Sequence, residues 1–546
     1  MFKVVVDNKE YVFEEKVTLH EFAKELNKTA YAALVNKRLK ELNFYLNFDC
    51  EVEFLDLNNF ETVKIYETSL RYLVIMALEN LYPNIKVYFT QSVSRSIACY
   101  VDNIKESVDS NFLKKLENEM NRLIELDLPI IRETITKEQA SEIYKEKGYL
   151  DKIDVLKYRE EETVHIYKCN GYINYLYGYM VPSTGCLKNY KLNLYHPGFV
   201  IQYPRCERKG CIPEFEASVS FGRMLNDARK WSTLIGCQDI PHLNNYATNK
   251  NVVDLINLCE TKHNGMLSEL GNKIKNDIEN IRLICIAGPS SSGKTTFSNR
   301  LRIELMARGI NPVKISMDDY YLERHLAPKD EDGKPDLEHV AALDIELFNE
   351  QLLALINGKE VTLPIFNFKT GKREWGEKLQ ISEKSPIIIE GIHALNEEVT
   401  KLIPQHQKFK IYISPTHQIN IDNHSPISAT EIRLLRRTVR DFEFRKTPAE
   451  KTFDMWSSVR KGEFRWIYPF QEEADFIFNT ELTYELAVLK KHAMEVLESI
   501  DKNDRYYVQA NRLMKFLKYV VDIEDKYVPC NSLLREFIGG SSFEGQ

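Results

Sequence analysis

One stretch restricts this chain more than any other. Ile281-Arg-Leu-Ile-Cys-Ile-Ala287 is an apolar run of strand length that leads directly into Gly288-Pro289-Ser290-Ser291-Ser292-Gly293-Lys294-Thr295-Thr296. The residues that follow, to Arg308, carry apolar positions at helical spacing and stop at Gly309. Strand, glycine loop and helix in that order open a βα unit. Its strand must be buried on both faces and its helix must pack back on the sheet, so an α/β domain with a parallel sheet is expected. The loop's residue types follow from phosphate chemistry. Glycines let several backbone N–H groups converge on one anion, and the helix N-terminus adds partial positive charge. Lys294 can reach the terminal phosphates and the Thr295 hydroxyl can ligate Mg²⁺. Gly288 to Thr296 is read as the site of a nucleoside triphosphate, ATP with Mg²⁺.

A second apolar strand, Pro386-Ile-Ile-Ile-Glu390-Gly, ends in a carboxylate suited to the same metal. A guanine-nucleotide switch would add an NKxD pattern and a DxxG after a strand. Asn249-Lys250 is followed by Asn-Val, and Asp330 to Gly333 fits DxxG only in a charged stretch without a strand. The phosphate loop and the acidic strand alone do not separate kinases from GTPases, but the missing guanine-reading motifs make the GTPase reading weak.

At 546 residues the chain is too long for one core. A net charge of −7 gives no electrostatic reason for non-specific nucleic-acid binding. The ten cysteines include no CxxC pair, so reduced thiols are expected. Met-Phe-Lys-Val-Val-Val-Asp7 turns polar too soon for a signal peptide, and the longest apolar runs are strand-sized. A cytoplasmic protein without a membrane span is expected. Residues 1–60 alternate like strands around a helix opened by the capping-box pattern Thr18-Leu-His-Glu21. Residues 216–280 are helical, ending in a connecting helix over 255–278. The absence of low-complexity linkers predicts domains packed on one another.

Val17-Thr-Leu-His-Glu-Phe-Ala and Ala33-Leu-Val-Asn-Lys-Arg-Leu-Lys-Glu-Leu resemble a TGS domain, the ubiquitin-like module of threonyl-tRNA synthetases and some GTPases. Residues 61–215 resemble the domain that follows it in threonyl- and alanyl-tRNA synthetases, where mischarged tRNA is hydrolysed. The echoes are Ser69-Leu-Arg-Tyr-Leu, Leu116-Glu-Asn-Glu-Met-Asn-Arg-Leu-Ile and Cys169-Asn-Gly-Tyr-Ile. Editing domains hold zinc on an HxxxH pair and a later Cys and His. Those positions read Thr68, Tyr72, Cys169 and Ile173 here, so the resemblance implies a scaffold or binding module without zinc or editing chemistry.

Residues 281–490 resemble the uridine kinase and phosphoribulokinase family. Pro312-Val-Lys-Ile-Ser-Met-Asp318-Asp319-Tyr320-Tyr321 matches its strand ending in an Asp and an aromatic pair. The resemblance implies Asp318 as the carboxylate that deprotonates the acceptor hydroxyl, with Asp319 the neighbouring candidate and Tyr321 beside the substrate. Asp336-Leu-Glu338-His339 matches a substrate loop, with Glu338 where an Asp contacts the ribose. Thr430-Glu-Ile-Arg433-Leu-Leu-Arg436-Arg437-Thr-Val-Arg440 resembles an arginine-rich lid helix, most of its cations on one face. Arg436 and Arg440 are then implied in catalysis, Arg437 in ATP binding and Arg433 in substrate binding. Phe366 and Gly371 stand where a Tyr and a His often contact a pyrimidine. Stacking on Phe366 survives; the histidine's hydrogen bond does not.

The chain is thus expected to hold an α/β P-loop kinase domain with a parallel sheet at 281–490 and a helical tail at 491–546. A small ubiquitin-like α+β domain and an α+β synthetase-editing-like domain are expected before it. The leading expectation is an ATP- and Mg²⁺-dependent nucleoside kinase, catalysed by Lys294, Asp318, Arg436 and Arg440, with Thr295 and Glu390 on the metal. One alternative is an RNA-associated regulator, its N-terminal modules contacting tRNA and its loop sensing nucleotide. Another is a sugar-phosphate kinase using Lys369, Lys372 and Arg373. The acceptor stays open among uridine, cytidine, purine nucleosides and sugar phosphates.

Overall fold

Alternation at the N-terminus places Phe2, Val4 and Val6 on one buried face of the strand Phe2–Val6. The computed structural model describes residues 1–543 apart from 91, 250, 331–332, 368–369 and 383. The first sheet runs Lys9–Phe13, Phe2–Val6, Cys50–Leu55, Ala32–Val35, Arg38–Lys40. Its helix Leu19–Glu25 starts on a reciprocal cap: Thr18 N–H donates to the Glu21 carboxylate at 2.9 Å, and Glu21 N–H donates to the Thr18 hydroxyl at 3.1 Å.

Helix Phe60–Leu81 is buried along most of its length, between a four-stranded and a three-stranded sheet. It carries Thr68 and Tyr72, the two positions expected from the sequence to correspond to an HxxxH pair. The Tyr72 hydroxyl bonds to the Tyr167 and Tyr172 carbonyls at 3.0 Å each, and Thr68 accepts from Arg71 at 3.3 Å. Both side chains are committed to the core.

A hairpin from the far half of the chain, Asn420–Asp422 with Ser425–Pro426, docks beside this helix. Asp422 pairs with Lys152 at 2.5 Å, the two side chains 0% and 1% exposed. His424 faces Asn174 at 3.2 Å, and its carbonyl accepts from Arg71. Removing one partner of such a pair strands a buried charge and costs about 3–5 kcal/mol. The same hairpin leads directly into helix Ala429–Arg445, the one expected from the sequence to act as a lid.

The sheet of the C-terminal half is fully parallel, in the order Val313–Ser316, Ile387–Glu390, Leu283–Ala287, Lys408–Ser414, Phe476–Asn479. All five residues of Leu283–Ala287 are buried, as a strand covered on both faces must be. In the register, Glu390 pairs with both Ile286 and Ser316. Three strand ends distant in sequence therefore meet at one edge, where ligands of open α/β sheets bind. Helices Val252–Asn276, Lys294–Met306 and Glu485–Glu498 contribute to the adjoining core. All ten cysteines are free thiols. Among the described residues no helix is long and apolar enough to cross a membrane.

Candidate active site

The loop's two glycines are required for different reasons. Gly293 sits at φ +87°, a conformation that side chains disfavour, and a Cβ there would lie 2.4 Å from Leu533. Gly288 was expected to supply backbone freedom as well. Instead the neighbouring strand closes on it, and a Cβ would meet the Ile413 carbonyl at 2.3 Å.

Lys294 reaches back over the loop and donates to the carbonyls of Gly288 at 3.0 Å and Pro289 at 3.2 Å. The Thr295 hydroxyl donates to Glu390 at 3.3 Å, so the two expected metal ligands are adjacent. The Ser291 and Ser292 hydroxyls are buried without a hydrogen-bond partner among the described residues. Burial without a partner is costly, and a phosphate oxygen is the type of acceptor that would relieve it.

The two neighbouring aspartates point to different tasks. Asp319 accepts the Phe366 N–H at 3.3 Å and so ties the strand end to the hairpin Val361–Asn367/Lys372–Leu379. Asp318 opens to the cleft and shares it with Lys294, Arg440 and Arg445. The protein mass around Asp318 raises its pKa, and those cations pull it back. Glu390 is likewise raised, by burial and then by Asp318. Burial lowers the pKa of Lys294, against Glu390 and Asp318, which favour its charge.

Tyr321 and Phe366, expected from the sequence to face the acceptor, are both buried, with their rings 5.7 Å apart. Gly371 has φ +69°, a conformation that side chains disfavour, and the exposed Arg324 side chain lies over it. Arg373 bonds to Asp344 at 2.9 Å and to the Tyr321 carbonyl at 3.2 Å. Lys372 is exposed, and Lys369 lies outside the described residues.

Glu338 packs on Gly462, and burial pushes its pKa up to about 7 despite Arg437. A carboxyl raised above its unfolded value of 4.5 adds stability below that pH, which is lost as pH rises through about 7. Glu338→Gln is therefore expected to gain melting temperature over the parent progressively between pH 5 and pH 8. Parallel melting curves across that range check this, and a constant offset would mean that Glu338 does not titrate there.

The lid arginines, expected largely on one cationic face, divide into two pairs. Arg433 is buried and pairs with Glu463, with one contact at 2.8 Å, while donating to the Ser290 carbonyl at 3.2 Å. Arg436 is 0% exposed, pairs with the equally buried Glu485, and donates to the carbonyls of Ser291 at 3.3 Å and Thr480 at 3.1 Å. These two brace the loop from beneath, because acidic partners from later helices draw them inward. Arg437 and Arg440 are less buried; Arg437 donates to the Ser290 hydroxyl at 2.9 Å. One group at the loop has no signal in the sequence. Glu536 accepts both the N–H and the hydroxyl of Thr296, at 3.1 Å each, from 240 residues away.

Residues 283–487 match the model of the phosphoribulokinase/uridine kinase family. A uridine kinase of Ureaplasma parvum is 31% identical over 177 residues, which are 32% of this chain and 77% of that protein. A threonine–tRNA ligase of Thermotoga maritima is 30% identical over 189 residues, 34% of this chain and 29% of the ligase. The chain thus spans less than a third of the ligases it matches. Among solved structures, D-glycerate 3-kinase from Cryptococcus neoformans matches 46% of this chain and 87% of its own at 14% identity, with a TM-score of 0.23.

Proposed function

The chain belongs to the phosphoribulokinase/uridine kinase family and is a P-loop phosphotransferase, and from that premise we propose that it moves the γ-phosphoryl group of ATP to a hydroxyl of a nucleoside. The observation that carries the proposal is the convergence of Lys294, Asp318 and Glu390 at neighbouring strand ends. Asp318 takes the proton of the attacking hydroxyl; burial raises its pKa toward that task while Lys294 keeps the charged form accessible. Lys294, Arg437 and Arg440 hold the triphosphate oxygens and meet the charge that develops during transfer. The unpartnered Ser291 and Ser292 hydroxyls and the Thr295–Glu390 contact fit a nucleotide with its metal. Mg²⁺ held by Thr295 and Glu390 would neutralise phosphate charge.

A nucleoside is favoured by the Tyr321–Phe366 aromatic wall and by the uridine kinase relative. A sugar phosphate is disfavoured because Arg373 is engaged by Asp344. ADP release should be measured with the four common ribonucleosides, inosine and sugar phosphates. Turnover on a nucleoside is expected; turnover confined to sugar phosphates would overturn the assignment.

A second reading, an RNA contact through the N-terminal modules, rests on a small group of cations, of which Arg132 and Arg159 are themselves paired with Glu41 and Glu161. Arg132, Arg159 and Lys515 gather around His165, whose pKa is pushed down to about 4 by burial and then by these cations. Tight tRNA binding in a filter assay, with no turnover on any acceptor, would favour this reading instead.

A further inference from the structure

The N–H and hydroxyl of Thr296 lie in the first turn of the helix that opens at the phosphate loop, where donors are arranged for a nucleotide's phosphates. Both donate to a single oxygen of Glu536. The other oxygen of Glu536 lies 3.7 Å from Arg440, one of the two less buried lid arginines, which also pairs with Asp441 at 3.5 Å. A carboxylate thus occupies the donors that a phosphate would use, and engages one of the cations that would hold it. We propose that Glu536 is an internal competitor for this phosphate subsite, so that nucleotide binds only by expelling its carboxylate.

The surrounding segment explains how the carboxylate is delivered. Leu533, Leu534 and Phe537 are buried, with Leu533 against Gly293 and the Phe537 ring 5.1 Å from the Arg436 guanidinium. These anchors fix the backbone of the short helix Arg535–Ile538 beside the loop. Expulsion then requires only rotation of the Glu536 side chain, while the apolar anchors stay seated. A phosphate and a carboxylate cannot share these donors, because each donor hydrogen serves one strong acceptor and the two anions repel. Competition of this kind is reciprocal: whatever free energy the carboxylate gains at Thr296 is subtracted from nucleotide affinity.

The proposal rests on the phosphoryl-transfer reading, and its test separates the two. Binding of MgATP, ADP and adenosine to the full chain should be measured by calorimetry for the parent, Glu536→Gln and Lys294→Ala. Glu536→Gln keeps the shape of the side chain and removes its charge. It is expected to bind MgATP and ADP at least about fivefold more tightly, within the usual range of coupling between sites. Adenosine, which carries no phosphate, should bind equally to parent and variant. A purely structural role for Glu536 would not produce this split. Glu536→Ala should shift affinity in the same direction, which guards against an effect peculiar to glutamine. Unchanged or weaker ATP binding in both variants, with binding still lost in Lys294→Ala, would overturn the competitor and leave the kinase reading standing. Absence of nucleotide binding in the parent and in both Glu536 variants would overturn both.

Discussion

Replacing Asp318 by alanine is expected to lower turnover by roughly 10²–10⁴-fold, the usual worth of a positioned general base, while ATP still binds. The separation is expected because Asp318 makes none of the hydrogen bonds that hold Lys294 and Thr295, so the loop stays in place without it. Asp319→Ala should behave differently. Its carboxylate accepts the Phe366 N–H, so its loss loosens the hairpin and is expected to raise KM for the acceptor more than it lowers kcat. Steady-state kinetics on both variants, with ATP affinity measured separately, check the pair. Near-normal turnover of Asp318→Ala would remove that residue from the chemistry.

The second large effect concerns stability. Arg436→Met is expected to cost about 3–5 kcal/mol, because it leaves Glu485 buried and charged without a partner. Removing both charges in Arg436→Met/Glu485→Met should recover most of that loss, since two apolar groups of similar size fill the same space. Denaturant unfolding of the parent, both single variants and the double variant checks this. If Arg436→Met instead unfolds like the parent while turnover collapses, then Arg436 acts on phosphate and the buried pair is incidental.

These two residues mark the limit of what could be read from the chain. Asp318, Lys294 and Glu390 were legible because each lies at the end of an apolar run or in a contiguous loop, and phosphate chemistry restricts which residues can stand there. The parallel α/β architecture was legible for the same reason: a glycine loop between strand and helix has few other solutions. The lid arginines were not. Spacing along Ala429–Arg445 assigned most of them to one face, but Glu463 and Glu485 decide which turn inward, and they lie 30 and 49 residues away from the arginines they hold. Helical period reports neighbours on one helix and is silent about partners on another.

The same division runs through the rest of the molecule. Sequence by itself determined the phosphate loop and the acidic strand, and it supplied the expectations of an aromatic pair at the acceptor side and of missing histidines at Thr68, Tyr72 and Ile173. Each of these is a local choice of residue type, readable without knowing what it touches. Tertiary structure decided why Gly288 must be glycine, through the Ile413 carbonyl. It decided that the hairpin at Asp422 anchors the N-terminal module beside the lid helix, and that Glu536 sits on Thr296. These are contacts between segments remote in the chain. Their energies come from burial and charge pairing across folded surfaces, which no local pattern of residues encodes.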